Sequence, residues 1–184
     1  MAKWWLVTWS TYGSWLPGDP RGFRTWRRRE YVPPPKDYAQ HDEVTYDPSV
    51  YSARYKDAKR KLAAPISVLD LNDRKIVCDA LVTEIGTMRV VPSVLAVASS
   101  HVHFLSKFGE TKIRPAVGRM KSAATRRLHD DKDETSRVWT KGCQMKSLAT
   151  EDDFMRTFND VNQHRDEGAV VYVWQANLGW NIDE

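Results

Sequence analysis

The stretch "SSHVHFLSKF", residues 99–108, holds two of the chain's five histidines, His101 and His103, one residue apart. On a β-strand alternate side chains leave the same face, so these two imidazoles project together while Val102 and Phe104 take the other side. Two imidazoles on one face can share an ion. They are too few donors to hold it alone, so a third ligand must come from elsewhere in the chain. The plain alternative is a half-exposed strand face that carries two histidines with no shared task, and so short a motif does not choose between the two.

The surrounding sequence says what would position such a pair. "RVVPSVLAVASSHVHFLSKF" is too long for one strand, so it is predicted as two strands turning near Ser99 and Ser100. Before it, "NDRKIVCDALVTEIGTM" places apolar residues at positions 76, 77, 80, 81, 85 and 88, a helical spacing. After it, "KIRPAVGRMKSAATRRLH" reads as a helix with Ile113, Ala116, Val117, Met120, Ala124 and Leu128 inward. Its outer side carries Arg119, Lys121, Ser122 and Arg126. "KWWLVTWSTYGSW" opens the chain as a strand, "RVWTKG" reads as a short one and "AVVYVW" as the last. Between these two, "TEDDFMRTFNDVNQHRDEG" is a helix capped by Thr150 and stopped at Gly168. The order is strand, helix, strand, strand, helix, strand, then a further helix and strand. That predicts an α+β class: a ferredoxin-like split βαβ antiparallel sheet with helices on one face, plus a C-terminal helix carrying site residues.

Residues 20–68 have a different texture. "VPPPK" excludes helix and central strand at that point, and the segment is expected as a surface insertion in a single 1–184 domain, with a short helix at 48–61. "RGFRTWRRR" (21–29) brings five arginines, among them Arg27, Arg28 and Arg29, with Phe23 and Trp26 between; "RYKDAKRK" (54–61) adds five more basic residues. Arginine interleaved with aromatics suits phosphates and unpaired bases, so this clustering, more than the net +4, points toward nucleic acid. A solvated surface loop is the other reading of the same charges. No apolar run reaches the ~20 residues a bilayer demands, so no membrane role and a cytoplasmic location are expected. Cys78 and Cys143 form no CxxC pair and read as small buried hydrophobes.

"SHVHFLSKF" resembles the His-hydrophobic-His signature of the HUH nucleases, and most of all the single-strand-DNA transposases with one tyrosine, including the REP-associated tyrosine transposases. "WLVTWSTYGSWLPGD" is similar to the opening strand and turn of one branch of that family. "VGRMKSAATRRL" looks like its DNA-facing helix, and "VWTKGCQMKS" like the segment leading to its catalytic helix. The resemblance covers roughly 1–20 and 70–175. It implies a transposase that cleaves single-stranded or hairpin DNA and transfers the strand. A divalent ion, Mg²⁺ or Mn²⁺, would be held by His101, His103 and a third ligand at His164, and a helix-borne tyrosine would attack the phosphate. It also implies a monomer or homodimer. Arg119, Lys121 and Arg126, outward on that helix by their spacing, are the candidate phosphate contacts, with a solvated helix face as the other reading.

One position departs from the family. Where its tyrosine would stand, four residues before His164, the chain has Asp160. Three readings stay open: the nucleophile has moved, to Tyr172 or Tyr12; Asp160 attacks as a carboxylate, giving an acyl phosphate that water cleaves; or Asp160 is a metal ligand or an inert polar residue and cutting is lost. A non-catalytic DNA-binding module descended from such a transposase is therefore the alternative function. A small α+β protein with a structural metal and no DNA role is the third.

Overall fold

The computed structural model describes residues 3–20, 23–25, 30–32, 48–133 and 135–177. In chain order its elements are β1 (Trp4–Ser10), β2 (Phe23–Thr25), β3 (Glu30–Val32), α1 (Pro48–Arg60), α2 (Leu71–Ile85), β4 (Val91–Val97), β5 (His101–Lys107), α3 (Ile113–Lys132), β6 (Gln144–Ser147), α4 (Glu151–Gln163) and β7 (Val170–Val173). They fall into two compact units, Met1–Thr11 with Ser67–Glu184, and Tyr12–Ile66.

The first unit is built on a five-stranded sheet of order β6-β1-β5-β4-β7, in which every neighbouring pair is antiparallel. Without β7 this is β1-α2-β4-β5-α3-β6 in the order β6-β1-β5-β4, the expected ferredoxin-like plan. The long apolar run does break into two strands: β4 and β5 form a hairpin in which the Ala98 N–H donates to the His101 carbonyl at 2.9 Å.

Each face of the sheet has its own core. Val7, Trp9, Leu95, Val97, Val102 and Phe104 point to one side, where Val77 and Leu81 of α2 and Val117, Met120 and Ala124 of α3 cover them. Trp4, Val94, Ala96 and Leu105 point to the other side and meet Phe154 and Val161 of α4. Phe154 is fully buried against Trp4, ring centroids 4.6 Å apart; burying such a side chain stabilises by about 1.5–3 kcal/mol. α4 starts at Thr150, whose hydroxyl accepts from the Asp153 N–H at 3.1 Å, and three acids in its first turn complement the helix dipole. α2 starts with a capping box of Asp70 and Asp73, and Lys132 from the end of α3 reaches Asp73 at 2.8 Å.

The strand expected in "RVWTKG" lies elsewhere. There Trp139 makes only a single bridge, to Thr11, and the ladder on β1 resumes five residues beyond at Gln144. The carbonyls of Thr140 and Gly142 are taken by the Lys121 ammonium, and Gly142 turns with φ +74°. A continuous ladder cannot pass through that turn.

The second unit holds the two-stranded β2-β3 ribbon and α1, close to the helix expected at 48–61. The Phe23 ring meets Tyr51 edge-on at 5.2 Å and carries the Arg54 guanidinium at 5.3 Å. Gly18, at φ +85°, allows the backbone to approach α1: a Cβ there would lie 2.5 Å from the Tyr51 carbonyl oxygen. This unit extends from Tyr12 to Ile66, against the insertion expected at 20–68. Arg27, Arg28 and Arg29 lie outside the described residues.

Candidate metal centre

The sheet register fixes which residues share the histidines' face. His103 lies opposite Thr8 of β1 and Ala96 of β4, and Ala96 lies opposite Val171 of β7. His101 lies opposite Ser10, at the same end of the sheet. α4 crosses this face with Phe154, Thr157 and Val161 buried, and one more helical step along that stripe is His164, the residue that closes the helix. After it the chain turns sharply: the His164 carbonyl accepts from Ala169 N–H at 2.9 Å, and Gly168 takes φ +84°. From α2, Arg74 donates to the Gly168 carbonyl and secures the turn.

The three imidazoles converge. Ring centroids are 4.7 Å apart for His101 and His103, 4.8 Å for His103 and His164, and 5.6 Å for His101 and His164. One nitrogen from each lies within 4.8 Å of the others. Tetrahedral bonds of about 2.1 Å to a common ion place nitrogens about 3.4 Å apart, so the rings would have to draw together to bind one.

Each ring is also held from behind by Nδ1. The His164 Nδ1–H donates to the Asp160 carbonyl at 2.8 Å; a carbonyl can only accept, so Nε2 keeps its lone pair. Nδ1 of His103 is 2.7 Å from the Thr8 hydroxyl oxygen, and Nδ1 of His101 is 3.2 Å from that of Ser100. Burial above all, then the neighbouring His101 and His164, holds the pKa of His103 well below the ordinary histidine value. His103 is therefore neutral at physiological pH, the form a metal ligand must have. The residues thus fit a divalent ion. With all donors nitrogen, they suit a borderline transition ion better than Mg²⁺, which prefers oxygen.

Other residues singled out in the sequence sit differently. Asp160 is exposed, and its carboxylate is not in the ligand group found among the described residues; only its carbonyl takes part, through His164. Tyr172 pairs with Leu95, and Leu95 with Phe104, so Tyr172 projects from the opposite face to the histidines and packs on Trp174 at 4.7 Å. Tyr12 belongs to the second unit, where its hydroxyl accepts from Ala63 N–H at 3.0 Å. Arg119 is ion-paired with Glu84 at 2.7 Å and donates to the Thr87 hydroxyl at 3.0 Å. Lys121 donates to the Thr140 and Gly142 carbonyls at 2.9 and 2.5 Å, and burial lowers its pKa.

Arg126 is the residue of that trio with an open outlook. It lines a groove of about 480 Å³ together with Lys121, Ser122, Thr125, Arg137 and Trp139. The groove's outer wall is steadied by His129, whose Nε2–H donates to the Ser136 carbonyl at 2.8 Å. The Thr11–Trp139 bridge follows directly on the Ser10–His101 pair, so the groove lies at the histidines' end of the sheet, but on the face that α3 covers, opposite to them. Sequence reasoning did not single out Thr8, Ser100 or Arg137. Thr8 left a trace, as a polar residue within the aromatic and aliphatic run Trp4–Trp9 of β1, but its facing partner depends on a register that no local pattern carries.

Fold and site together define a ferredoxin-like α+β domain with a three-histidine cluster between its central strand and a helix on the open face. No family model matches the chain, and no curated protein matches it. Among solved structures, one of a REP-associated tyrosine transposase bound to a REP hairpin aligns with 91% of this chain and 68% of that one, at a TM-score of 0.49 and 7% identity. No described helix is long and apolar enough to cross a membrane.

Proposed function

We propose that this chain is a transposase-like protein that binds single-stranded or hairpin DNA and holds a backbone phosphate at a divalent-metal centre formed by His101, His103 and His164. One observation carries the reading: three imidazole nitrogens, from a strand and from a helix some sixty residues away, lie within 4.8 Å of one another. A bound ion would neutralise and polarise a phosphodiester for cleavage and strand transfer. The chain's own contribution is to keep His103 neutral, to fix the His164 ring through the Asp160 carbonyl, and to offer Arg126 in a groove at the same end of the sheet. The all-nitrogen donor set favours Mn²⁺ or a later transition ion over Mg²⁺.

A second reading, a DNA-binding module that does not cut, is favoured by the nucleophile position. Tyr172 is the sole tyrosine in the histidine-bearing unit and faces away from the histidines, while Asp160 stands where the resemblance would place a tyrosine. A carboxylate there cannot form a lasting phosphoester. Incubating end-labelled hairpin DNA with the protein and Mn²⁺ separates the readings. Metal-dependent scission or a covalent band, lost when His101 and His103 are replaced, supports DNA processing. Tight binding without scission establishes the second reading, and neither binding nor scission overturns both.

A further inference from the structure

We propose that Thr8 is a positioning residue for the metal centre: its hydroxyl oxygen accepts the Nδ1 proton of His103 and thereby aims Nε2 at His101 and His164. The inference rests on the metal-binding reading of the three histidines. Thr8 stands directly across the β1–β5 ladder from His103, in a strand flanked on both sides by paired neighbours. Backbone pairing therefore fixes where its Cβ points, and β-branching restricts χ1, so the hydroxyl is preset rather than recruited. The 2.7 Å separation is at the short end for an N–H···O bond.

A neutral imidazole has one N–H and one lone pair. Whichever nitrogen gives its proton to an oxygen leaves the other to act as the ligand. His164 already shows the arrangement, with Nδ1–H on a backbone carbonyl. Of the three Nδ1 partners, Thr8 and Ser100 are side chains, and Thr8 makes the shorter contact, to the histidine that lies close to both others. Partners of this kind set the tautomer and ring orientation of a ligating histidine, and losing one typically costs about 10–100-fold in metal affinity.

The test compares wild type with Thr8→Val, which keeps shape and removes the acceptor, and with Thr8→Ser, which restores it; Thr8→Ala repeats the loss with a different packing change. Long-range ¹H–¹⁵N correlation on metal-free protein reads the His103 tautomer, and calorimetric Mn²⁺ titration reads affinity. The expected result is the Nδ1–H tautomer in wild type and Thr8→Ser, a mixture in Thr8→Val and Thr8→Ala, and Mn²⁺ affinity about 10–100-fold weaker in the latter two. If wild type binds Mn²⁺ and Thr8→Val matches it in tautomer and affinity, the role of Thr8 is overturned alone. If wild type binds no Mn²⁺, the metal-centre reading and this role fall together.

Discussion

The Nδ1 of His164 lies 2.8 Å from the main-chain carbonyl oxygen of Asp160, one helical turn back. The acceptor is backbone, so any residue that keeps the helix at position 160 keeps the bond, and with it the ring orientation of His164. The side chain at 160 is thereby uncoupled from the ligand: its carboxylate is exposed and outside the group formed by the three imidazoles.

Asp160→Tyr should therefore leave Mn²⁺ affinity unchanged while placing a phenolic oxygen on a helix that already ends at the histidine cluster. A covalent adduct with labelled single-stranded DNA in the presence of Mn²⁺ is the expected gain, read as a metal-dependent band on a denaturing gel. A mutant that binds metal and DNA but forms no adduct would show that position 160 is not within reach of the phosphate.

Replacing His101 and His103 together with alanine should abolish specific Mn²⁺ binding while far-UV circular dichroism stays native. Both side chains are half-buried at one end of the sheet, and neither core cluster includes them. Metal affinity retained by the folded double mutant would remove the centre from this face.

Much of this site was readable in the sequence because strand alternation is local. The period-two pattern of 101–104 put both histidines on one face, and the Ser99-Ser100 break separated β4 from β5, as found. His164 was legible only through family resemblance, since its meeting with β5 depends on α4 packing through Phe154 and Val161. The strand at 144–147 was misplaced because "QMKS" has no β-branched residue and is exposed throughout; pairing with β1, not propensity, makes it a strand. Helical spacing set Arg119 outward, as found, but spacing is blind to Glu84, which pairs with it, and to the loop carbonyls that draw in the half-buried Lys121.

Cys78 sets an alkaline limit on stability. Burial, followed by the nearby Asp79 charge, pushes its thiol up to about 12. In the unfolded chain a cysteine loses its proton near pH 8.5, so above that the native state holds one proton more than the unfolded state. Stability is therefore lost as pH rises, by about 1.4 kcal/mol per pH unit from this group, up to the native pKa. Denaturant melts of wild type and Cys78→Ala between pH 7 and pH 10 should show a shallower alkaline decline in the mutant; equal declines would mean that Cys78 ionises without unfolding.

Binding to hairpin DNA should weaken steeply with salt, and the arginines of α3 should divide in how they affect that slope. Arg126 is exposed in the groove that shares the histidines' end of the sheet, so its guanidinium is available to a phosphate. Removing one phosphate contact lowers the slope of log affinity against log salt by about 0.7–0.9. Arg126→Ala should show that change. Arg119→Ala should not, because Glu84 at 2.7 Å already neutralises that guanidinium. Lys121→Ala should act through the fold instead, releasing the Thr140 and Gly142 carbonyls and loosening the turn that follows Trp139, a lining residue of the groove. Its signature is faster amide exchange around residues 140–142, with weaker DNA binding at every salt concentration. Fluorescence anisotropy with labelled hairpin DNA from 50 to 300 mM NaCl measures all three. A slope that Arg126→Ala leaves untouched while Arg119→Ala reduces it would move the DNA from this groove to the α2 side of α3.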